Sequence, residues 1–150
     1  NTPYWSNTLF VFVPDHAMQY PVDIDVFSVE RYKIPLVLYG PALAQTGVKV
    51  DVVGSQIDLA ATLLAQLGLP HSDFAFSKDM LNPANPHFAF FTVPDAFGVV
   101  SDSGSTVFDN VSEKIYTNSH PDNALLERGK AFLQKIYDDL DKRGTKKFGE

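Results

Sequence analysis

"TLFVFVPDHAM", residues 8–18, sets five apolar residues, Leu9 to Val13, directly against Pro14 and the charged pair Asp15-His16. A run this short, rich in β-branched and aromatic side chains, predicts a strand over residues 8–13 that is buried on both faces. Pro14 stops the hydrogen-bond ladder because it has no N–H to donate. The pair behind it then stands at the carboxyl end of the strand. In α/β sheets that edge is where ligands bind.

Around this stretch the bulk properties narrow the choices. With 150 residues, 45% of them hydrophobic and 20% charged, the chain can build a sizeable core and is not of disordered composition. A net charge of -6 argues against a nucleic-acid surface, which needs a basic stripe. The basic cluster Lys142, Arg143, Lys146 and Lys147 follows the last expected helix and complements its dipole. The absence of cysteine excludes disulfides, thiolate metal sites and a cysteine nucleophile. No apolar run approaches the roughly 18 residues of a membrane span. The start shows no signal peptide, and "NTPYWSN" (1–7) resembles the tail of a helix turning into the first strand. The expectation is a chain cut from something larger.

Downstream, "IPLVLYGP" (34–41) is a second apolar run closed by Gly-Pro, again a buried strand, and "VKVDVV" (48–53) reads as a short half-exposed strand or an extended loop. "GSQIDLAATLLAQLGLP" (54–70) is the clearest helix. Ser55 is its N-cap, Asp58 completes a capping box, and Gly68 is the C′ residue ahead of Pro70. Ile57, Ala60, Ala61, Leu64 and Leu67 form the expected buried stripe. Strand, turn, strand, helix suggests part of an α/β layered domain. Asn82, Pro83, Asn85 and Pro86 then form a surface linker. Beyond it "HFAFFTV", "FGVVSD", "STVFDN" and "KIYTN" predict an antiparallel meander, with Phe88, Phe90 and Phe91 in its core. A helix from about "HPDN" (120–123) to Arg143 packs on it through Leu125, Leu126, Phe132, Leu133, Ile136, Tyr137 and Leu140.

Familiar chemical motifs are missing: no GxxxxGK, GxGxxG, GxSxG or HExxH occurs. Asp15-His16 is the sharpest candidate, because a hard carboxylate beside an imidazole suits a divalent cation such as Mn²⁺ or Zn²⁺. The alternative is that Asp15 caps a turn and His16 is merely a surface residue. His71, His87 and His120 lie beside prolines or linker sequence. Asp23 and Asp25 are spare carboxylates whose simplest role is a solvated loop.

The stretches "NTLFVFVPDHA", "YKIPLVLYGPAL", "VVGSQIDLAATLLAQLGL" and "FSKDML" resemble, in order and spacing, the alkaline phosphatase superfamily. The likeness is greatest to its sulfatase-like phosphoglycerol transferases, the lipoteichoic acid synthase group of bacterial cell-envelope enzymes. It covers residues 5 to 82. The resemblance implies an α/β fold: residues 1–82 as the C-terminal part of the mostly parallel sandwich core, and residues 83–150 as a small subdomain of meander and C-terminal helix. It places the family's metal-binding Asp-His pair on Asp15 and His16. The implied ion is Mn²⁺, with Ca²⁺, Mg²⁺ or Zn²⁺ as alternatives.

The same likeness implies a threonine, serine or formylglycine nucleophile that attacks a phosphate or sulfate ester to give a covalent intermediate. That nucleophile and the remaining ligands belong to the upstream part of the catalytic domain, which is the implied partner, so this chain carries no catalytic residue of its own and is expected to be inactive alone. The implied location is the outer side of a bacterial cytoplasmic membrane. Two departures stand out. Pro14 and Ala17 replace the glycines that usually flank the pair, and Ala60-Ala61 stand where a proline is common. A sulfatase of the same superfamily and a non-catalytic binding module are the competing readings.

Overall fold

The computed structural model describes residues 2–17, 23–119 and 122–144. The chain is a mixed α/β protein whose contacts divide it into two compact units, Asn1–Asp51 and Val52–Glu150.

In the first unit, Trp5–Asn7 form a turn of 3-10 helix, held by the Thr8 hydroxyl donating to the Tyr4 carbonyl at 2.7 Å. Strand β1 (Phe10–Phe12) follows and pairs antiparallel with β2 (Val37–Tyr39), Phe10 opposite Tyr39 and Phe12 opposite Val37. The expectation of strands buried on both faces is not met. Only the middle residue of each strand, Val11 and Leu38, is half-buried. Among the described residues this sheet has two strands, β1 and β2. The flanking side chains instead gather among themselves. Trp5, Phe10, Phe12 and Tyr39 form a chain of ring contacts with centroids 5.8–6.4 Å apart, of which Phe10 and Phe12 are stacked. Between the strands, Asp25 accepts the Phe27 N–H at 2.7 Å, a 3-10 turn covers Val29–Tyr32, and the Tyr32 hydroxyl donates to the Val26 carbonyl. Arg31 reaches back to the Ile24 carbonyl. Burial pushes the Tyr32 hydroxyl's pKa up.

Residues 48–53, which span the boundary of the two units in the chain, form no strand and run as a loop. The second unit holds the clearest expected helix. Ser55 and Asp58 close a capping box around a 3-10 turn, Gln56–Asp58, that leads into α1 (Leu59–Gln66). At the other end Gly68 adopts φ +67°, its N–H donates to Ala65, and the N–H of Leu69 donates to Leu64. This is a Schellman end, and it needs a left-handed residue there. The expected buried stripe is rotated. Asp58, Ala61 and Thr62 are buried, whereas Ile57 and Leu67 are exposed. A polar staple explains the rotation. Asp58 accepts from the Lys78 main chain and ammonium, Met80 N–H donates to the Thr62 hydroxyl, and Ala61 N–H donates to Ser77. Those bonds pull segment 77–80 across the face that holds the polar residues.

The meander is present as read: β3 (Phe88–Val93), β4 (Ala96–Ser101), β5 (Gly104–Asp109) and β6 (Ile115–Asn118) pair antiparallel in chain order. All strand pairs among the described residues are antiparallel. Helix α2 (Ala124–Gly144) lies on β4 and β5. The core joins Phe88, Phe97, Val99, Leu125 and Leu126, with Phe90, Phe108, Phe132 and Leu133 packed around it. Gly129 lets the helix come close: a Cβ there would lie 2.3 Å from the Phe97 ring. Three expected core positions differ. Phe91 points to the other side of the sheet, over Gly98, because residues alternate faces along a strand. Tyr137 and Leu140 are 59% and 58% exposed, since the helix runs on past the sheet that its first three turns cover.

Candidate metal-binding site

Strand β1 ends at Phe12, and two residues of irregular chain, Val13 and Pro14, carry the backbone to Asp15. The pair therefore stands just past the carboxyl end of β1, where the sequence puts it. Asp15 bends back on the chain, its Oδ1 accepting the main-chain N–H of His16 at 3.0 Å. The imidazole follows the same turn. Its Nε2 lies 3.8 Å from Asp15 Oδ1, while Nδ1 is 2.9 Å from the Ala17 carbonyl oxygen. Both side chains are open to solvent, 92% exposed for Asp15 and 74% for His16.

Chemically, this offers one oxygen and one nitrogen donor converging from adjacent residues. Carboxylate oxygen and imidazole nitrogen bind ions such as Zn²⁺ at about 2.0–2.2 Å, so a 3.8 Å separation is within the span of two such bonds. The donor set fits a divalent cation as part of a site. It is not a whole one: among the described residues no three His, Asp or Glu side chains cluster to enclose an ion.

The other carboxylates and histidines stand elsewhere. Asp23 is 4.0 Å from Arg31, and Asp25 serves its own turn. His87 Nε2 is 3.2 Å from the Asn82 carbonyl, and the His71 carbonyl accepts from Phe74 N–H. His120, Lys146 and Lys147 lie outside the described residues. Ser55 and Asp58 are occupied by capping, and Asp58 also by Lys78. One neighbour of the pair gave no signal in the sequence: the carbonyl of Ala17 is a main-chain atom, and any residue type would supply it.

No protein-family model matches this chain, and no curated protein matches it. Among solved structures it is similar to a protein in the alkaline phosphatase superfamily from Vibrio parahaemolyticus, with a TM-score of 0.68 and 21% sequence identity. The alignment covers 92% of this chain and 37% of that one. The chain thus has the fold of a part of that structure and spans little more than a third of its length. No helix among the described residues is long and apolar enough to cross a membrane.

Proposed function

We propose that this chain is the C-terminal part of the catalytic domain of a metal-dependent phosphoglycerol, or related phospho-head-group, transferase of the bacterial cell envelope. The observation that carries the reading is the convergence of Asp15 Oδ1 and His16 Nε2 to 3.8 Å, open to solvent, just past the end of β1. The fold likeness to part of an alkaline phosphatase superfamily protein supports it.

In this reading Asp15 and His16 contribute two ligands to a divalent ion, Mn²⁺ first among the candidates. When bound, the ion supplies Lewis-acid chemistry at an anionic ester and charge to stabilise its transition state. Asp15 gives an anionic oxygen and His16 a neutral nitrogen, and the turn holds both close to the chain. The nucleophile and the other ligands come from an upstream part of the same domain, on the outer side of the cytoplasmic membrane. Residues 1–82 complete the core of that domain, and residues 83–150 form its small subdomain.

The test is an assay of the protein that carries this chain at its C-terminal end. Mn²⁺-dependent transfer of a phosphoglycerol group from a phosphatidylglycerol vesicle, lost in Asp15→Asn and His16→Ala, is the expected result. Turnover of an aryl sulfate instead makes the protein a sulfatase. Absence of both activities, with Mn²⁺ saturating, overturns the enzymatic reading.

A further inference from the structure

His16 presents its two ring nitrogens to different surroundings. Nδ1 is 2.9 Å from the carbonyl oxygen of Ala17, and Nε2 is 3.8 Å from Asp15 Oδ1. A carbonyl oxygen only accepts, so a hydrogen bond at the first distance requires the proton on Nδ1. The second distance is too long for Nε2 to donate to the carboxylate. In a neutral ring these two facts leave the lone pair on Nε2, the nitrogen beside Asp15.

We propose that the main-chain carbonyl of Ala17 is a positioning group, which selects the Nδ1–H tautomer of His16 and reserves Nε2 for a divalent cation shared with Asp15. This rests on the reading of Asp15 and His16 as ligands. Ligating histidines commonly donate their other ring N–H to a carbonyl or carboxylate, which fixes tautomer and ring orientation. Here the next residue in the chain does so, and the neighbouring carboxylate is itself tied down by the His16 N–H at 3.0 Å. Both donors are thus set by bonds within three consecutive residues. The orientation of the pair is a property of this local turn, established before any ion arrives.

The experiment is NMR on the protein that carries this chain, so that the upstream ligands are present, with ¹⁵N in histidine and ¹³C at the alanine carbonyls. Spectra are recorded at alkaline pH on neutral rings, and His16→Gln assigns the His16 signals. The expected result without metal is a protonated Nδ1 and an unprotonated Nε2, with a scalar coupling across the hydrogen bond to the Ala17 carbonyl carbon. Added Zn²⁺ then shifts Nε2 and leaves Nδ1–H in place. Asp15→Asn weakens the Zn²⁺ response about tenfold or more while the tautomer stays the same. A ring with the proton chiefly on Nε2, or Zn²⁺ bound through Nδ1, overturns the proposal. Retention of Nδ1–H with no Zn²⁺ response at Nε2 upholds the positioning by Ala17 and removes the ligand reading instead.

Discussion

The Lys78 ammonium lies 2.8 Å from Oδ1 and 2.9 Å from Oδ2 of Asp58, a carboxylate with no solvent exposure. Asp58 also accepts N–H bonds from Ser55 and from Lys78 itself. One side chain thereby closes the start of α1 and anchors the segment at residue 78. Lys78 further lies over the Phe88 ring, 4.2 Å from its centroid, at the edge of the core. Removing one partner leaves a buried charge without its counter-ion, which costs more than the pair contributes when intact. Lys78→Met is expected to destabilise the chain by about 3 kcal/mol in urea unfolding. Asp58→Leu combined with Lys78→Met should lose clearly less than the sum of the single changes, and strict additivity would show that the two do not couple.

Gly129 is fixed by its neighbours. A methyl group there would meet Phe97 at 2.3 Å and Val99 at 2.6 Å. Gly129→Ala improves helix propensity by no more than about 1 kcal/mol. Overpacking typically costs about 1–3 kcal/mol, so the net expectation is destabilisation. A rise in the denaturation midpoint on making this change would mean that α2 stands off the sheet.

Asp109 begins the turn into β6. Its carboxylate accepts from Ser112, through main chain and side chain, and from the Val111 N–H, and these bonds hold its pKa below the ordinary aspartate value. A depressed carboxylate pKa means stabilisation that is complete above the unfolded-state value near 4 and lost as pH falls through the folded-state value. Carboxyl NMR titration should find Asp109 ionising at lower pH than an exposed aspartate. The 110–114 turn should loosen in acid, and in Asp109→Ala should be loose at all pH values.

Asp15 and His16 contribute little to holding the fold, being 92% and 74% exposed. Asp15→Ala and His16→Ala should each change stability by no more than about 0.5 kcal/mol. Unfolding curves that overlay the unaltered chain would let a loss of ion binding or activity be assigned to the two side chains themselves and not to the fold. A large drop in stability would give the pair a structural role.

The sequence carried the local devices well. The Ser55–Asp58 capping box, the Gly68 helix end and the four-strand meander each depend on neighbours close in the chain, and each is present. The Asp-His turn was legible for the same reason. Longer-range choices were hidden. Composition alone could not tell that, among the described residues, Phe10–Phe12 would pair with one strand, β2. Nor could an apolar stripe reveal that Asp58 and Thr62 take the buried side of α1, because the reason lies in Ser77, Lys78 and Met80, 16 to 20 residues away. The Ala17 carbonyl was invisible in principle, since a main-chain atom leaves no mark in residue type.

The order of the meander carries a kinetic meaning. Each strand from β3 to β6 pairs only with its neighbour in the chain, and the first two hairpins turn over two residues, 94–95 and 102–103. Little loop entropy has to be surrendered before any of these contacts forms. The sheet can therefore zip up hairpin by hairpin, on the order of milliseconds, and offer α2 a finished surface to land on.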